Sequence, residues 1–80
     1  MIPLNKLTKG KSALLERIGG SGSVQKRLLQ YGLSPGKPIS RYATAPLGKG
    51  GVWRQGSLLI ALRESDAAHL LCQTEVDADE

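Results

Sequence analysis

Gly10-Lys11-Ser12 ends like a phosphate-binding loop, in which backbone amides cradle phosphate oxygens and the lysine adds charge. That motif needs a glycine five residues before Gly10, where Asn5 stands, and a strand before the loop, for which there is no room. Gly19-Gly20-Ser21-Gly22 ahead of a helix resembles half of a dinucleotide fingerprint. Gln25 occupies the third-glycine position, and 80 residues cannot hold two βαβ halves. His69 and Cys72 stand three apart and could touch one metal ion from a single turn. A structural zinc site wants four ligands and the chain has no other His or Cys, so these two are weak candidates and no metal site is assigned. With one His and no acid positioned to make a third member, no nucleophile–base pair can be assembled; the expectation is no catalytic residue, no cofactor and no enzyme activity.

Spacing predicts the elements that would carry these residues. Pro3 to Leu7 suits one helical turn with Leu4 and Leu7 on one side, and Thr8 to Lys11 a turn. Ser12 to Ile18 suits a half-buried strand. Ser21 or Ser23 can cap a helix running to about Tyr31, with Val24, Leu28 and Tyr31 on one face and Gly32 as the left-handed stop. Pro35-Gly36 fits the centre of a type II turn. Strands are expected at Ile39–Ala43, Val52–Arg54, Leu58–Arg63 and Leu70–Val76, with a flexible 45–51 loop and a helical turn capped by Ser65-Asp66. About five short strands with a helix after the first predict a mainly β fold, a small SH3-like barrel, with an OB-type barrel as the alternative. Residues 1–76 form the single domain, and 77–80 an acidic tail expected to be disordered.

Charge bounds the function. Four of the seven acids (Glu75, Asp77, Asp79, Glu80) fall in the last six residues. Residues 1–74 therefore carry 11 basic groups against Glu16, Glu64 and Asp66, a net +8. Such a body attracts acidic protein surfaces, nucleic acid or anionic headgroups. One cysteine excludes an internal disulfide and fits a reducing compartment. Without an apolar leader or a run of ~20 apolar residues, a cytoplasmic protein is expected.

From Arg27-Leu28-Leu29-Gln30-Tyr31-Gly32-Leu33-Ser34-Pro35-Gly36 the chain resembles the FeoA family, a small cytoplasmic protein of bacterial ferrous iron transport. Pro3-Leu4, Leu7 and Gly10 agree with it, as do Ala13, Leu15 and Ile18, then Ala45-Pro46-Leu47-Gly48, then Ala61-Leu62-Arg63 followed by Ala67 or Ala68. The resemblance spans residues 3 to about 76. The family's loop usually continues Gly-Asp-Pro, whereas here it reads Gly48-Lys49-Gly50, and the Gly56–Ala61 spacing is one residue longer. The resemblance implies an SH3-like barrel, no enzyme activity, and association with FeoB, a membrane permease with a cytoplasmic GTP-binding domain. It would place the protein at the inner membrane only through that partner.

An accessory protein docking on the cytoplasmic part of such a permease is the first reading. Lys26, Arg27 and Tyr31 on the helix, Leu47 and Lys49 in the loop, and Trp53 nearby are its candidate contacts. Trp53 reads equally as barrel core. A nucleic-acid-binding barrel is the alternative, although Tyr31, Tyr42 and Trp53 are not interleaved as a stacking platform requires. An iron carrier would need ligands the chain does not supply alone. No small-molecule substrate is expected, and whether exposed barrel edges pair two copies stays open.

Overall fold

The structure, a computed structural model, describes residues 1–73 and the strand Val76–Asp77. Its strands are β1 (Ile2–Pro3), β2 (Lys11–Ile18), β3 (Pro38–Thr44), β4 (Gly51–Gln55), β5 (Leu58–Leu62), β6 (Leu70–Cys72) and β7 (Val76–Asp77). Helix α1 (Gly22–Gln30) follows β2, and the single turn α2 (Glu64–Ala67) joins β5 to β6. The sheet runs β1-β6-β2-β3-β4-β5, with β7 also on β2, and every pairing between strands is antiparallel.

β2 is the strand that curls this sheet into a barrel. Its first half pairs with β3 and its second half with β6, with a register shift between Leu15 and Arg17. A bulge adds twist and bend, so one strand can serve two sheets. The inward alternation Ala13, Leu15 then packs on Leu4, Leu7, Leu28, Ile39, Trp53, Leu62 and Leu70 in one buried cluster. Leu4 and Leu7 close one end from a 3₁₀ turn at Leu4–Lys6.

Local chemistry sets the boundaries. Ser21 caps α1 by accepting a hydrogen bond from Val24 N at 3.4 Å, and Gly32 at φ +99° ends the helix. Gly56, at φ +63° in the first central position, fits a type II′ turn joining β4 to β5. Gln55, buried at the end of β4, clamps the 33–37 turn. Its Nε2 donates to Ser34 O at 2.8 Å and Lys37 O at 3.2 Å, and its Oε1 accepts from Ser34 N at 2.8 Å.

The mainly β, SH3-like barrel is as expected, with Ile2–Pro3 added as a short strand paired with β6. Two expectations are corrected. The last strand is two pieces, Leu70–Cys72 and Val76–Asp77. Arg63, not Ser65 or Asp66, is the N-cap of α2, and it makes no side-chain cap. The 45–51 loop contains a 3₁₀ turn at Pro46–Gly48. Of the acidic tail, Asp77 stands opposite Lys11 in β7, and 78–80 lie outside the described residues.

Candidate functional site

β5 divides the surface that carries the candidate residues. Arg27 on α1 and Tyr31 at its C-terminal cap face Ile60 and Ala61 across a cleft of about 590 Å³, completed by Arg63 and Asp66. On its other side a mostly apolar hollow of about 320 Å³ is lined by Lys49 together with Val52, Ala61, Leu62 and Arg63. Ala61 and Arg63 thus border both. The loop half and the helix half of the expected surface are joined by a strand that sequence reasoning had not included.

The cleft wall is held by one charge-assisted contact. Arg27 Nη2 donates to Asp66 Oδ1 at 2.6 Å, bridging α1 to α2. The Arg27 side chain is half exposed, so the pair contributes no more than about 1 kcal/mol and acts chiefly to fix spacing. Tyr31 is 41% exposed and forms part of the cleft rather than of the core. Lys26 is exposed beside Arg27 but does not line the cleft.

Leu47 is the most exposed large apolar side chain among the described residues, at 90%, and sits at φ 60°, ψ 26°. It is the one non-glycine residue among those described with positive φ. For a leucine this conformation costs about 1 kcal/mol, so the loop holds an apolar side chain in solvent against local preference.

Trp53 must be removed from the contact set. It is 0% exposed, in the barrel core, with the Arg41 guanidinium 4.8 Å from its ring centroid. Period-2 alternation explains this: β4 turns Gly51, Trp53 and Gln55 inward. Arg41 itself is buried. Its Nη1 donates to Leu7 O at 3.0 Å and Asn5 O at 3.3 Å, its Nη2 to Gly50 O at 3.1 Å, and Glu64 lies 3.8 Å away. It ties the N-terminal turn and the 46–50 loop to β3.

His69 and Cys72 are not brought together as ligands. Cys72 is buried with Leu70 on the core face of β6, whereas His69 lies in the preceding turn against Gly20. Burial pushes the Cys72 thiol up to about 11, which keeps it protonated at neutral pH. Among the described residues, no group of three or more His, Cys, Asp or Glu could hold a metal ion. With Trp53 internal, the aromatics left for base stacking are Tyr31 and Tyr42, on separate elements. No helix among the described residues is long and apolar enough to cross a membrane.

What the candidate list missed is β5. Its five consecutive apolar residues read like a strand covered on both sides, yet Leu59 is 54% exposed and Ala61 is exposed. Only the strand order reveals that β5 is at an edge.

The family model described as the FeoA domain matches residues 2–74. A fusion of Fe(2+) transport protein A with the Fe(2+) transporter FeoB, from Porphyromonas gingivalis, is 34% identical over 67 residues. Those residues are 84% of this chain and 8% of that protein's length. Among solved structures, an FeoA-like protein from Clostridium acetobutylicum superimposes with a TM-score of 0.84 at 22% identity, covering 99% of this chain and 92% of that one. FeoA of Stenotrophomonas maltophilia, solved with zinc and described as a procaryotic SH3 domain protein, gives 0.77 at 23% identity, covering 91% of each. These likenesses establish the fold as an SH3-like barrel.

Proposed function

Because this chain belongs to the FeoA domain family, we propose that it is a non-enzymatic accessory protein of ferrous iron uptake that docks on the cytoplasmic, GTP-binding part of an FeoB-type permease. The observation that carries this reading is the relative in which a domain like this one and the transporter share a single polypeptide. Covalent fusion keeps two modules at high effective concentration, which is useful where they act in contact. The protein is then cytoplasmic and reaches the membrane through its partner.

The surface agrees with that role. Exposed Leu47, Tyr31 and Leu59 and a net +8 on residues 1–74 suit recognition of an acidic protein face. Titration of the purified permease cytoplasmic domain into this protein, followed by calorimetry, tests it. Saturable binding at tens of micromolar or tighter is expected. Heat-free mixing, confirmed by an absence of co-elution, would refute it.

A further inference from the structure

β5 is left with an open edge. The sheet ends at β1 on one side and β5 on the other. β1 is two residues long and contains Pro3, which blunts it as a pairing template. β5 has five residues, none of them charged and none a proline.

Hairpin geometry says which backbone groups are free. Gln55 and Leu58 close the two-residue turn, so that pair and the alternate pairs Trp53–Ile60 and Gly51–Leu62 exchange hydrogen bonds with β4. The N–H and C=O groups of Leu59 and Ala61 therefore point off the sheet. No other main-chain hydrogen bond involves either residue among those described. The same two residues turn their side chains to solvent. The open edge borders the 590 Å³ cleft, with Arg27 of α1 and the capping Tyr31 as the far wall.

We propose that this edge accepts an extended segment of a partner protein as an added β-strand, apolar at alternate positions and acidic where it meets the rim. This rests on the docking reading above and specifies how docking occurs. Main-chain bonds to Leu59 and Ala61 give such a segment affinity, and the cleft and hollow on either side of Ala61 give it side-chain pockets. Charge selects the occupant. Arg63 and Lys49 border the strand, exposed and with no side-chain partner among the described residues, and Asp66 is already engaged by Arg27. Acidic side chains on the segment complement these cations, whereas a second copy of this chain would bring a duplicate set of the same charges.

The test is amide hydrogen exchange by NMR on the full chain, alone and with the purified cytoplasmic domain of the permease. In the free protein Leu59 and Ala61 exchange fast and Leu58 and Ile60 slowly; in the complex Leu59 and Ala61 slow by at least about tenfold. Ala61→Pro removes an outward N–H without touching the β4 ladder and weakens binding by about tenfold or more. Arg63→Glu changes only an exposed side chain, and weakens binding similarly even if the proline variant fails to fold. Binding that leaves the Leu59 and Ala61 exchange rates unchanged and tolerates Arg63→Glu overturns the strand-addition proposal while the docking reading stands. No binding of the unaltered protein overturns both. Slowing of these two amides with rising concentration of this protein alone, or only on adding phosphatidylglycerol vesicles, assigns the edge to a second copy or to lipid and likewise overturns it.

Discussion

Leu47 stands where an asparagine or glycine would be favoured, in the left-handed region and almost wholly in solvent. Leu47→Asn relieves the strain and should raise stability by about 0.5–1 kcal/mol in urea unfolding, while weakening binding to the permease domain. A gain in stability with no loss of binding would show that the side chain is not a contact. Arg41 has the opposite character. Three carbonyls and the Trp53 ring depend on it, so Arg41→Ala should cost about 3 kcal/mol, read as a lowered urea midpoint. Cys72 titrates at about 11 in the fold against 9.0 for a free thiol. The raised value means that its contribution is fully present below pH 9 and is lost as pH rises toward about 11, because the unfolded thiol ionises first. Denaturation midpoints measured across that window should fall, and Cys72→Ser should flatten the decline.

At the scale of elements, the 46–50 loop and the end of β5 are locked by close approach. Gly50 has φ +119°, and a Cβ there would collide with the carbonyl oxygen of Leu62. A proline or any other L residue is strained at that angle, so glycine is required at position 50. Gly50→Ala should therefore cost about 3 kcal/mol or more, seen as a lower Tm in thermal unfolding. By contrast Arg27→Ala cuts an exposed bridge between α1 and α2 and should lower stability by less than about 1 kcal/mol. Its effect belongs to the width of the cleft, and so to binding.

At the scale of the molecule, the +8 of residues 1–74 acts over distance rather than through any one pair. Added salt should slow association with the permease domain in stopped-flow mixing and change the dissociation rate little, because screening weakens steering more than short-range contacts. A salt-independent association rate would remove charge from the recognition.

The sequence alone determined the features set by neighbours along the chain. A serine cap at Ser21 or Ser23, the Gly32 stop, the Pro35-Gly36 turn and a helical turn within Pro3 to Leu7 were legible because each depends on backbone preferences within a few residues. Lys26, Arg27, Tyr31, Leu47 and Lys49 were likewise found as exposed side chains. Tertiary structure decided the fate of Trp53 and β5. Two residues past a glycine pair, a tryptophan is equally plausible on either face, and only the register of β4 against β3 turns it inward. Five apolar residues specify a strand but not its neighbours. Strand order depends on which distant segments meet when the chain closes its core, and that closure leaves the outward backbone groups of Leu59 and Ala61 without a strand partner among the described residues.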